Sequence, residues 1–205
     1  MKNFHTIIPR QVTGDKSDYE YSATAGSPAE AIKIFTDSVA RLMDVNEWHS
    51  LCGTGSAVFK LTDESGQMLD ELILKGRFIR IDVPGPGPIA GKGYDWVYIE
   101  NTENCKINET AECYAITVRP SKSPMTHAQV PAHFFKSRAS STFMVCIHNN
   151  TITASVHGRN EIPNSSTDNP IDNLRNEIVA KSAIGLLAGV QWKKLVRGII
   201  RGSSE

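Results

Sequence analysis

The alternation of apolar and polar residues is clearest over residues 140–158, where two runs of period two meet at Asn149-Asn150. Side chains alternate faces along a strand, and asparagine tolerates the positive φ of a two-residue turn, so the pattern predicts a β-hairpin. Its register sets Phe143 opposite Val156, Val145 opposite Ala154 and Ile147 opposite Ile152, one unbroken apolar face. The reverse face carries Met144, Cys146, His148, Thr151, Thr153 and Ser155 and reads as partly buried.

Upstream, residues 19–25 alternate weakly and predict a first strand. Ser27-Pro28-Ala29-Glu30 supplies an N-cap, a proline at the first helical position and an early acid, after which Ile32, Phe35, Val39 and Leu42 recur at helical spacing. A short helix or turn at 45–51 brings Trp48 to the same core and ends at Gly53 and Gly55. Val58 and Leu61 belong to one strand, and residues 68–83 predict a longer one, bent or broken at Gly76. Pro84-Gly85-Pro86-Gly87-Pro88 cannot continue a central ladder and reads as a loop. Tyr94, Trp96, Tyr98 and Glu100 then share one strand face, with Asp95, Val97 and Ile99 on the other. Residues 101–108 read as a polar turn, 110–119 as a strand and 120–131 as a loop.

The last element is predicted as one long helix, capped by Asn169, started by Pro170, with Asp172 complementing its dipole, and running to about Ile200. Helical spacing gathers Leu174, Ile178, Ser182, Gly185, Gly189, Trp192, Val196 and Ile200 on one side. The middle of that stripe is small. Glycines cost a helix about 1 kcal/mol each relative to alanine, so something packs very close there or space is wanted.

The 205 residues show no linker, so residues 19–205 are expected to form a single α+β domain after a loose arm at 1–18. Lys+Arg and Asp+Glu are equal at 22 each, which removes the electrostatic term on which nonspecific nucleic-acid binding relies. Cys52, Cys105, Cys113 and Cys146 form no Cys-x-x-Cys pair and read as free buried thiols, although Cys105 and Cys113 would face each other across a tight turn. No apolar run suits a signal peptide or a membrane span, which points to a cytoplasmic protein without integral membrane contact.

With Phe35-Thr36-Asp37 in the first helix and Asp44-Val45-Asn46-Glu47-Trp48 after it, the order of elements resembles the START-like superfamily, also called the helix-grip fold, which includes polyketide-cyclase-like proteins and plant pollen allergens. The resemblance implies a curved antiparallel sheet gripping a long C-terminal helix over an apolar cavity. It also implies binding of small hydrophobic molecules, or in some members cyclase, dehydratase or hydrolase chemistry. No catalytic residue is shared across that group. The prolines and glycines between Pro84 and Gly93 depart from its compact hairpins.

Other motifs weaken on inspection. Gly91-Lys92 lies in a glycine-rich loop, but Pro86 and Gly93 stand where a phosphate loop wants glycine and Ser/Thr; the segment reads as a plain loop or a lid. His127, His133, His148 and His157 lack the spacing of a preformed metal site. Arg159 and Glu161 could orient a ligand or act as an acid/base pair, or simply form a solvated turn. Lys193, Lys194, Arg197 and Arg201 read as the outer face of the last helix or a surface for anions. There is no Gly-x-Ser-x-Gly elbow, and no catalytic triad can be assembled from motifs.

The leading expectation is a small hydrophobic ligand, with no cofactor or metal, held between Phe143, Val145, Ile147, Ile152, Ala154 and Val156 on the sheet and Ile178, Ser182, Gly185, Gly189 and Trp192 on the helix, with Tyr98 and Arg159 as polar partners. An enzyme on the same scaffold would need Tyr98, Asp95, Glu100 or Glu161 in the pocket. A non-catalytic protein could pair two copies through Met144 and Cys146.

Overall fold

The computed structural model describes residues 6–203 except 54, 86, 109, 128, 166, 168 and 185, and for 181–184 and 186–188 the backbone alone. In chain order the elements are β1 (Asp15–Thr24), α1 (Pro28–Met43), α2 (Trp48–Cys52), β2 (Val58–Thr62), β3 (Phe78–Asp82), β4 (Asp95–Asn108), β5 (Ala111–Pro120), β6 (Ser140–His148), β7 (Thr151–Glu161), α3 (Pro170–Ile184) and α4 (Leu186–Arg201). Short 3-10 turns at Val45–Glu47 and Ile89–Gly91 complete the set. The strands form one antiparallel sheet in the order β1-β7-β6-β5-β4-β3-β2, and helices pack on one face of it, giving an α+β helix-grip arrangement.

The β6–β7 hairpin has the expected register, and Asn149 turns it at φ 53°. Its apolar face meets Leu42 and Trp48 from the first helical pair and Leu195, Val196 and Ile199 from α4, all fully or nearly fully buried. Each large apolar side chain removed from water in this way contributes about 1.5–3 kcal/mol. At the start of α1, Ser27 Oγ accepts the Glu30 N–H at 3.2 Å, as the capping motif predicts. The buried side is Ala31, Phe35, Ser38 and Leu42, while Ile32 faces water.

Several expectations are corrected. Residues 101–108 continue β4 as strand, with bulges between Ile99 and Asn101 and between Lys106 and Asn108. Their polar side chains stand on a solvated stretch of the ladder, which mimics turn composition. Residues 68–83 are not one strand: Met68 makes an isolated bridge to Thr62, and the ladder begins only at Phe78. The long C-terminal helix is described over two stretches, α3 and α4, and Gly185 between them lies outside the described residues.

Two cysteines that were read as free thiols are joined. Cys113 and Cys146 face each other across β5 and β6 and form a disulfide, while Cys105, directly opposite Cys113 on β4, remains free and buried, as does Cys52. Spacing along the chain cannot reveal such a bond because it depends on strand register. The disulfide closes a loop whose ends lie 33 residues apart, and disulfides persist mainly in oxidising compartments. No described helix is long and apolar enough to cross a membrane.

Within the N-terminal arm, β1 already begins at Asp15, and Ile7 and Ile8 pack on the cluster of Cys113, Ala115 and Met144. Asn160, held at φ 57°, accepts the Val12 and Thr13 N–H groups at 2.8 and 3.1 Å and donates to the Arg10 carbonyl. The arm thus covers part of the sheet's reverse face. Met144, expected on an exposed pairing surface, is buried beneath it.

Candidate functional site

The six sheet residues expected to line a cavity do share one face, but that face is filled. Phe143, Val145, Ile147, Ile152, Ala154 and Val156 are each at most 7% exposed, whereas a void able to admit water would leave accessible area on its walls. Trp48 lies 4.6 Å from Phe143 between ring centroids, and Trp192 bridges Phe143 at 5.5 Å and Phe59 at 6.2 Å. Gly189 is small because Tyr19 needs the place: a Cβ there would sit 3.3 Å from the Tyr19 hydroxyl. Of the two explanations for a helical glycine, close approach is the one observed. Gly198 likewise makes way for the backbone of Leu51.

The remaining predicted residues are dispersed. Ile178 is 57% exposed and, with Ile171 and Leu174, forms an apolar stripe that α3 turns to solvent. Ser182 lies on α3, but its side chain is outside the described set, as is Gly185 entirely. The inward side of α3 is polar instead. Arg175 forms a buried bidentate pair with Asp95, Nη1 meeting Oδ1 at 2.9 Å and Nη2 meeting Oδ2. Asp172, expected to serve the helix dipole, turns inward and accepts the N–H groups of Ile89 and Ala90 at 2.8 and 3.1 Å. The Pro/Gly loop is therefore pinned to α3, and Trp96 Nε1 donates to Gly91 behind it. Burial pushes the Asp95 carboxyl upward against the pull of the Arg175 guanidinium. His133, also buried, is pushed down to about 3 by that burial and by Arg175, and so stays neutral.

Open space lies on the opposite face of β3, β4 and β5. A groove of about 450 Å³ is lined by Phe78, Tyr98, Arg119, Pro120, Pro124 and Lys122, with Glu64, Ser121, Ser123 and Ser137 completing its walls. Phe78 and Tyr98 are cross-strand partners whose rings stand 5.4 Å apart at 60°. They fall on this face because Ile79 and Val97, their chain neighbours, are committed to the core. Arg119, opposite Tyr98 on β5, is held by Glu100 at 2.7 Å and by the carbonyls of Arg138 and Ala139. Lys122 donates to Gln129 at 2.6 Å. The result is an aromatic and proline-rich floor with a tethered guanidinium and an ammonium group at its edge. A second, more polar groove of about 310 Å³ is lined by Ile7, Pro9, Lys75, Glu100, Asn101 and Thr117.

Among the expected polar partners, only Tyr98 enters the groove. Arg159 is distant, on the outer face of β7, where Nη2 pairs with Asp18 at 2.7 Å. His157 also binds Asp18 there, at 2.6 Å, and contacts Ser155 at 3.0 Å. Glu161 lies at the end of β7 with Oε1 accepting from Ser17 and Oε2 buried without a partner. Burial, chiefly, and the nearby acids Asp15 and Asp18 push it up to about 7. Among the described residues no group of three His, Cys, Asp or Glu could hold a metal ion. Sequence reasoning missed Phe78 and Arg119 as groove residues, because their union depends on which of two alternating faces each strand buries.

Several solved structures are similar to this chain at low identity. They include Ara h 8.0201, at 14% identity over 91% of this chain and 99% of that one with a TM-score of 0.36. The major latex-like protein 151 of Panax ginseng matches at 13% over 83% and 96%, TM-score 0.31. A START superfamily protein from Mycobacterium smegmatis matches at 11% over 89% and 99%, TM-score 0.31. No family model and no curated protein matches the chain. The helix-grip assignment rests on the strand order and register given above.

Proposed function

We propose that this protein binds a small apolar molecule with a flat ring, seated on Phe78 and Tyr98. The observation that carries the reading is the pairing of those two rings in an open groove of about 450 Å³, within the size range of small-molecule sites. Arg119 and Lys122 favour a ligand whose polar end is anionic. Glu100 tethers the guanidinium, so this end is oriented at little conformational cost.

Fluorescence titration with anilinonaphthalene sulfonate tests the reading. An aromatic contact contributes about 0.5–1.5 kcal/mol beyond area burial, so Phe78→Ala with Tyr98→Ala should weaken binding about tenfold or more. Ile178→Ser, on the exposed stripe of α3, should leave it unchanged. Unaltered binding in the double variant would remove the groove from consideration.

A second reading keeps the ligand between the sheet wall of Phe143 and Val156 and the final helices, with Trp192 and Gly189 at its edge. What favours it is the apolar stripe Ile171, Leu174 and Ile178, which a displaced α3 could turn onto a ligand. Loss of binding in Gly189→Leu, with the groove variants unaffected, would select this second reading.

A further inference from the structure

On the face of β7 that points away from the core, Ser155, His157 and Arg159 follow one another at the two-residue spacing of a strand, and Asp18 of β1 stands directly opposite His157. The hydrogen bonds run in one direction. His157 Nδ1 lies 2.6 Å from Asp18 Oδ1, and His157 Nε2 lies 3.0 Å from Ser155 Oγ. Arg159 holds the same carboxylate oxygen at 2.7 Å while its other nitrogen donates to the carbonyls of Ser17 and Gly158, so Asp18 is fixed in place. Burial raises the Asp18 carboxyl, but the hydrogen bonds from His157 and Arg159 outweigh it and hold it below the usual range. A carboxylate that stays charged keeps the imidazole proton on Nδ1, which leaves Nε2 bare and facing the serine hydroxyl.

We propose that Ser155 is an activated nucleophile, and that Ser155, His157 and Asp18 form an acyl-accepting site for small, activated esters. Nothing in the sequence motifs announces it, because the acid comes from a strand 137 positions away that only the sheet register brings alongside. In the acylation step Ser155 Oγ attacks the ester carbonyl carbon and its proton passes to His157 Nε2. The bond from Oγ to carbon forms, the bond from carbon to the alcohol oxygen breaks, and the imidazolium returns the proton to the departing alkoxide. Water then attacks the acyl carbon as its proton passes to His157 Nε2; the bond from carbon to Oγ breaks, the imidazolium returns the proton to Oγ, and the carboxylic acid leaves.

The surroundings set the rate and the substrate class. Ser155 is only 8% exposed and the His157 side chain 16%, so only small acyl groups reach the hydroxyl. Ser155 lies between Glu20 and Met144 in the ladder, and a central strand directs its N–H groups to neighbouring strands, not to a developing oxyanion. Missing one such donor costs an esterase about 10²–10³ in rate, so transfer is slow and activated esters are required.

The test is incubation of the full chain with p-nitrophenyl acetate and with a fluorophosphonate probe, followed by peptide mass mapping. The expected result is a single adduct on Ser155, absent in Ser155→Ala. Its rate of formation should drop about 100-fold or more in His157→Asn, the size of a general-base contribution. A role confined to structure would shift melting temperature without producing an adduct. No adduct on Ser155, or labelling of Ser155 indifferent to His157→Asn in a variant with native circular dichroism, overturns the proposal.

Discussion

Gly189 of α4 and Tyr19 of β1 touch: a Cβ built on the glycine would stand 3.3 Å from the tyrosine hydroxyl and 3.4 Å from its ring. The helix approaches the sheet closely here because the glycine has no side chain. Gly189→Leu should therefore destabilise the protein by about 1–3 kcal/mol through overpacking, read as a lower midpoint in urea. If the glycine were there to leave room for a ligand, the same change would be tolerated in the free protein.

Arg175 and Asp95 form a buried pair, at 5% and 1% side-chain exposure, that joins α3 to the start of β4. Removing one partner strands the other charge, so Arg175→Met should cost about 3–5 kcal/mol. Much of that cost should return in the double variant Arg175→Met with Asp95→Leu. A double-mutant cycle in urea measures the difference, and additive losses would contradict the pairing.

Glu161 makes the stability depend on pH in the direction opposite to an ordinary salt-bridged acid. Its folded value, about 7, exceeds its reference value of 4.5, so between the two the folded state binds more protons than the unfolded state. Stability from this group is complete below about pH 4.5 and is lost as pH rises through about 7. Glu161→Gln should remove that loss and be the more stable protein at pH 8, by about 1–3 kcal/mol. Denaturant titrations of both proteins at pH 5 and pH 8 check it.

The disulfide predicts a thiol count. Under denaturing, non-reducing conditions alkylation should modify Cys52 and Cys105 only, leaving Cys113 and Cys146 joined. Reduction should lower stability by about 2–4 kcal/mol. Four modified cysteines before reduction would show the bond is not formed.

How far the sequence could be read follows from where its signals are local. The β6–β7 register was legible to the residue because strict alternation meets an Asn-Asn turn, and a one-residue slip would turn Phe143 and Val145 to water. The caps at Ser27 and Asn169 were legible for the same reason, being decided within four residues. The face of α3 was not. Helical spacing points Ile178 at the core, yet ion pairing of Arg175 and the backbone donors held by Asp172 turn the helix the other way. Those partners lie about 80 positions distant, at Asp95 and Ile89, where no periodicity reaches. The groove was half legible: Tyr98 was singled out, but Phe78 and Arg119 join it only through the β3-β4-β5 register. Ser155 was placed on the reverse face of the hairpin, but His157 stood only among four scattered histidines and Asp18 in a stretch expected to be a loose arm.

In the proposed complex a ligand sits on Phe78 and Tyr98, outside the packed core. Two-dimensional amide NMR during titration with anilinonaphthalene sulfonate tests it most directly. Saturable shifts should concentrate at Phe78, Tyr98, Arg119 and Ser121, with Phe143, Val156 and Trp192 unmoved. Shifts confined to Phe143, Val156 and Trp192, or none that saturate at the groove, would contradict it.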